Sequence, residues 1–99
     1  MQTILIVEDD IIQLHVLQTS IHQAYPNWTI HTATNITAAQ SFLDSSLNEN
    51  KFYSMFLLDI SLVAGTSDES GFELAKSIRA CSVYFKTPIL FLTSFQNKT

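Results

Sequence analysis

A single cysteine, Cys81, leaves no intrachain disulfide and no cysteine-based zinc site to consider. Its ordinary role is a structural or surface thiol. Basic residues are few and scattered: Lys51, Lys76, Arg79, Lys86 and Lys98 stand against nine acidic residues, for a formal charge of −4. Nucleic-acid phosphates call for a clustered basic face, so direct nucleic-acid contact from this stretch is not expected. An anionic membrane surface is disfavoured on the same ground. No apolar run approaches membrane-spanning length. The N-terminus has no basic region ahead of its short apolar run, as a signal peptide would. Repeats, low-complexity segments and domain linkers are missing too. The expectation is one soluble, cytoplasmic domain.

Apolar residues, by contrast, make up 46% of the 99 positions, enough for a real core and too many for intrinsic disorder. Met55-Phe56-Leu57-Leu58 runs straight into Asp59. A short unbroken apolar run reads as a strand buried on both faces, as in a parallel sheet. Ile4-Leu5-Ile6-Val7 behaves alike and ends in Glu8-Asp9-Asp10. Two such strands bring several carboxylates to the carboxyl edge of one sheet, where open α/β sheets place their ligand chemistry.

In order along the chain, Thr3 to Val7 reads as a strand, and Asp10 offers a cap for a helix with Ile11, Leu14, Leu17 and Ile21 on one face. Pro26-Asn27 breaks it, and Trp28 to Ala33 reads as a more exposed strand. Asn35 caps a second helix with Ile36, Ala39, Leu43 and Leu47 on one face, followed by a polar connection from Asn48 to Lys51. After the strand Met55 to Asp59 comes turn chemistry from Ala64 to Gly71. A third helix then carries Phe72, Leu74, Ala75 and Ile78 and ends near Ala80. Pro88 to Leu92 is a fourth strand, followed by Thr93-Ser94. The order β-α-β-α-β-α-β calls for a parallel sheet with helices on both faces. His15 and His22 are too far apart to share a metal, and with His31 they are expected to be surface histidines. Trp28 and the phenylalanines are expected to pack in the core and at its edges.

Carboxylates this close repel one another unless a cation shares them. Oxygen-only ligands suit a hard cation, Mg²⁺ before zinc or copper. A carboxylate beside Mg²⁺ can attack a phosphoryl donor and become an aspartyl phosphate. A hydroxyl one strand away, such as Thr93, can hydrogen-bond a phosphoryl oxygen.

Four motifs now stand in order: Ile4 to Asp10, Phe56-Leu57-Leu58-Asp59, Gly71 opening a helix, and Pro88 to Ser94. Together they resemble the receiver domain of a bacterial two-component response regulator, over nearly the whole chain. The resemblance implies a flavodoxin/CheY-like, doubly wound parallel sheet with strand order 2-1-3-4. It implies that Asp59 is the phosphoacceptor, taking its phosphoryl group from a sensor histidine kinase. Mg²⁺ would lie on Asp9 and Asp59, with Glu8 helping through water and the Ser61 backbone carbonyl as a further ligand. Thr93 would be the switch hydroxyl and Ser94 the small neighbour of the phosphoryl group, while Asp10 is left as a helix cap.

Three departures qualify the resemblance. The loop from Asp59 to Gly71 is longer than usual, with Val63 where a proline is common, which gives some likeness to regulators with a LytTR-type DNA-binding output. No lysine matches the one the family places at the end of a fifth strand. The fifth strand and helix are missing, so residues 1–99 read as a truncated receiver without its output domain, expected to be DNA-binding and transcriptional. The strand at Ile89 to Leu92 then becomes a sheet edge, and self-association into a homodimer is expected. The receiver accepts a phosphoryl group and is not an enzyme with a turned-over substrate. Two other readings stay open: a pseudo-receiver that binds proteins without phosphate, and a phosphohydrolase of the haloacid-dehalogenase type, which would carry its nucleophile on the first strand.

Overall fold

The structure is a computed structural model, and it describes residues 2–60 and 71–92. Strands β1 (Thr3–Val7), β2 (Thr29–Ala33), β3 (Met55–Asp59) and β4 (Ile89–Leu92) form one parallel sheet in the order β2-β1-β3-β4. Between them lie helices α1 (Ile11–Ala24), α2 (Ile36–Glu49) and α3 (Gly71–Ala80), and a 3₁₀ turn at Ser82–Tyr84 leads into β4. The order read from the apolar runs is the order observed.

Each central strand is apolar throughout because each feeds two cores. Alternate side chains point to opposite faces of a strand. Leu5, Val7, Phe56 and Leu58 therefore pack with Ala39 and Leu43 of α2 and with Leu74, Ala75 and Ile78 of α3. Ile4, Ile6 and Leu57 pack on the other face with Leu14 of α1. The α1 side is the thinner layer, and Leu17, Ile21, Trp28 and Met55 on it are only half-buried.

Helix starts follow from side-chain caps. Asp10 Oδ1 accepts from the Ile12 and Gln13 amides at 2.9 and 3.2 Å, and Asn35 Oδ1 accepts from the Ala38 amide at 2.7 Å. These bonds satisfy amides that a helix cannot satisfy itself. α2 extends to Glu49, two residues into the segment read as polar connection, and is capped by Asn50, a left-handed residue with φ 55°. Asparagine tolerates that conformation better than most.

The helical faces differ from expectation at three places. Ile11 is 64% exposed, because the α1 face that meets the sheet is centred on Leu14. On α2 the buried partner of Leu43 is Ser46, while Leu47 stays exposed. Ser46 can be buried because its hydroxyl donates to the Leu43 carbonyl and lies 2.8 Å from Tyr84 Oη. Phe72 of α3 is exposed and meets Phe91 of β4 at 5.1 Å between ring centroids. His31 is a half-buried residue too: it stacks on Phe42 at 5.1 Å, and its Nδ1 is 2.8 Å from Tyr53 Oη.

Candidate functional site

The sheet register forces the acidic site together. β1 and β3 pair as Ile4 with Met55 through Val7 with Leu58. One step further places Glu8 opposite Asp59, on strands roughly 4.8 Å apart. The Glu8 amide still donates to the Ala33 carbonyl at 3.0 Å, so the backbone there is held by the sheet. Asp59 is in turn in register with Leu92 of β4.

Glu8 and Asp59 are each only 1% exposed, and Asp9 is exposed beside them. One carboxylate oxygen from each of the three lies within 4.8 Å of the others. Asp59 lies close enough to Glu8 for its carboxyl to favour a protonated Glu8, through a side-chain hydrogen bond and its charge. The Asp10 amide donates to Glu8 Oε2 at 3.1 Å. Asp10 turns its own side chain to the helix start, away from the cluster's work.

Glu8 carries the electrical consequence. Its pKa is pushed from an ordinary 4.5 up to about 7, first by burial, then by the hydrogen bond and charge of Asp59 and the charge of Asp9. The Asp10 amide opposes the shift. The fold thus favours the protonated acid. Its contribution to stability is complete below about pH 4.5 and is lost as pH rises through about 7. The cation-free chain is expected to be more stable at pH 5 than at pH 8, by about 3 kcal/mol at most from this group. Urea midpoints in chelator at the two pH values measure it, and Glu8→Gln is expected to flatten the difference.

The same cluster fits a divalent cation. Three oxygen donors from carboxylates, two buried and one open to solvent, suit a hard cation that keeps some of its water. A cation there would offset the burial and the neighbouring carboxylate charge that lift Glu8. Glu8, Asp9 and Asp59 are thus brought together, whereas Ser61, Thr93 and Ser94 lie outside the described residues, as do Val63 and the long loop. Sequence reasoning did not single out Tyr84, Ser46 or Tyr53, which hold the floor beneath β3. A buried tyrosine in a three-residue 3₁₀ turn has no periodicity to reveal it.

Asp10 offers a clean separation of cap from ligand. Asp10→Ala is expected to lower stability by about 1 kcal/mol, and Asp10→Ser to restore it. Cation affinity is expected to change less than about threefold in both, while a buried carboxylate ligand replaced by its amide costs at least tenfold. Calorimetric titration with Mg²⁺ beside urea denaturation checks both halves.

No protein-family model matches the chain, and no curated protein does. Solved structures do. The signal receiver domain of the DNA-binding response regulator merR from Colwellia psychrerythraea 34H is 20% identical, with a TM-score of 0.79, over 99% of this chain and 72% of that one. The Mn²⁺-bound form of response regulator Rcp1 is 23% identical, with a TM-score of 0.77, over 99% and 69%. The phosphorylated cyanobacterial phytochrome response regulator RcpA is 19% identical, with a TM-score of 0.76, over 97% and 67%. With its 2-1-3-4 parallel sheet and its helices on both faces, the chain has the flavodoxin/CheY-like fold seen in these response regulators.

Proposed function

We propose that this chain is a response-regulator receiver domain whose Asp59 accepts a phosphoryl group from the phosphohistidine of a sensor kinase. The observation that carries the reading is the cluster of Glu8, Asp9 and Asp59 at the carboxyl edge of two adjacent parallel strands. The fold supports it, and so do the metal-bound and phosphorylated states named for two of the similar structures.

Asp59 supplies the nucleophile. One of its oxygens forms a bond to phosphorus as the phosphorus–nitrogen bond of the donor breaks, and the departing imidazole nitrogen keeps the electron pair. Register fixes Asp59 between β1 and β4, so the acceptor is held in place before the donor arrives. Glu8 and Asp9 would hold Mg²⁺ with Asp59, and the Ser61 carbonyl would complete the protein ligands. The metal, when bound, would neutralise charge on the transferred group. Thr93 and Ser94 follow directly on β4 and are the hydroxyls we assign to the phosphoryl oxygens. An output domain, DNA-binding as in the regulator from Colwellia, would read the result.

A partner's approach is suggested by α1. Ile11, Ile12 and Val16 are 64%, 78% and 53% exposed within two turns of Asp9. An apolar helical face beside the acceptor suits packing against another helix. No helix among the described residues is long and apolar enough to cross a membrane.

Exposure to beryllofluoride or acetyl phosphate, followed by intact-mass measurement, tests the reading. One adduct per chain, formed with Mg²⁺ and lost in chelator, is the expected result. No adduct would favour the phosphate-independent binding module. Many turnovers of p-nitrophenyl phosphate would favour the phosphohydrolase.

A further inference from the structure

Toward the amino edge of the sheet, on the side away from β4, lies a cavity of about 480 Å³. It is lined by Thr3 of β1, His31 of β2, Glu49 at the end of α2, and Lys51, Phe52 and Tyr53 of the connection to β3. Its size falls in the roughly 300–1,000 Å³ typical of small-molecule sites. Asp59 stands at the opposite edge of the sheet, and the proposed phosphoryl transfer uses none of these residues.

The floor of the cavity is fixed and its rim is charged. Tyr53 is buried, and its hydroxyl lies 2.8 Å from His31 Nδ1. Burial first, then Tyr84, pushes the Tyr53 pKa from 10.0 up to about 12, so the hydroxyl keeps its proton at neutral pH. Phe42 of α2 stacks on the His31 ring at 5.1 Å, which holds the imidazole from a second side. Its Nε2 has no hydrogen-bond partner among the described residues. Glu49 and Lys51 stand at the rim, both exposed, and among the described residues neither is in an ion pair. α2 has no basic residue in its last turn, so its carbonyl end adds to the negative pole of Glu49. Phe52, 44% exposed, supplies an apolar wall.

Opposite charges that line one cavity without pairing match a ligand that carries both. We infer that this cavity binds a free α-amino acid with an aromatic side chain. Its carboxylate would meet the Lys51 ammonium, its own ammonium would meet Glu49 and the carbonyl end of α2, and its ring would lie against Phe52. His31 Nε2 and the Thr3 hydroxyl are the remaining hydrogen-bonding groups. A simple anion would have Glu49 against it, and a simple cation would have Lys51 against it.

Calorimetric titration of the whole chain with three probes tests it: L-phenylalanine, 3-phenylpropionate without the ammonium, and phenethylamine without the carboxylate. L-Phenylalanine is expected to bind one per chain, about fivefold tighter than either analogue, the scale of one exposed charge pair. Lys51→Gln is expected to weaken L-phenylalanine about fivefold and to leave phenethylamine no weaker. Glu49→Gln is expected to weaken L-phenylalanine equally and to leave 3-phenylpropionate no weaker. Both side chains are exposed, so both variants keep the fold. Amide resonances of His31, Lys51 and Tyr53 are expected to shift on saturation. Equal affinity for the three probes overturns the inference. So do shifts centred elsewhere, and so does the absence of saturable L-phenylalanine binding at millimolar concentration.

Discussion

Asp59→Asn is expected to abolish the Mg²⁺-dependent adduct, by at least about a hundredfold in yield, and to make the cation-free fold more stable at neutral pH. The two effects have one source. Asp59 is buried, hydrogen-bonded to Glu8, and close to the charge of Asp9. A site built from close carboxylates is held at a cost to the fold, which a cation or a proton offsets. Asparagine keeps the shape of Asp59 and removes its charge and the oxygen proposed as nucleophile. Glu8 is then expected to titrate nearer an ordinary carboxylate, and the neutral-pH fold to gain about 1–2 kcal/mol. Urea denaturation at pH 7.5 in chelator, beside intact-mass measurement with the phosphodonor, reads both. A structural role for Asp59 predicts the opposite sign of the stability change.

Tyr84 is where the largest loss of stability is expected. Its side chain is fully buried, 5.0 Å from the Phe56 ring and 6.0 Å from the Phe52 ring, both in edge-to-face geometry. Its hydroxyl accepts from the Tyr53 amide at 3.1 Å and lies 2.8 Å from Ser46 Oγ. One residue thereby ties α2, the start of β3 and the turn before β4. The Arg79 guanidinium holds that turn from the α3 side, donating to the Tyr84 and Thr87 carbonyls at 2.7 Å each. Tyr84→Phe leaves the Tyr53 amide and the Ser46 hydroxyl short of a partner in the core and is expected to cost about 1–3 kcal/mol. Tyr84→Ala adds a cavity and is expected to cost about 3–5 kcal/mol. Thermal and urea unfolding of the two variants measure the difference. A change below about 0.5 kcal/mol for Tyr84→Ala would mean the turn does not anchor the sheet.

These two residues mark what could and could not be read from the sequence. Asp59 was legible because its four apolar neighbours declare a doubly buried strand, and such a strand must end at an edge of the sheet. Glu8-Asp9 was legible for the same reason, and connections of helix length called for a parallel sheet, while the order β2-β1-β3-β4 came from the resemblance. Tyr84 was not, since the turn Ser82–Tyr84 follows neither a period of 2 nor one of 3.6. Ser46 was passed over for Leu47 because apolar spacing says nothing about a hydroxyl whose partner arrives from 38 residues away. Ile11 was placed on the buried face of α1 by spacing alone, yet as the first residue of the helix it stays exposed. The rise in the Glu8 pKa also needed the structure, since burial at 1% exposure cannot be read from an acid's position in a motif.

The most direct test of the central claim is to find which side chain carries the phosphoryl group. After treatment with acetyl phosphate and Mg²⁺, borohydride reduction converts an aspartyl phosphate to homoserine, and peptide sequencing by mass spectrometry locates it. Homoserine at position 59 alone, dependent on Mg²⁺ and on the phosphodonor, is the predicted result. Homoserine at Asp9 or Asp10, or none at any position while the cation still binds, would contradict it.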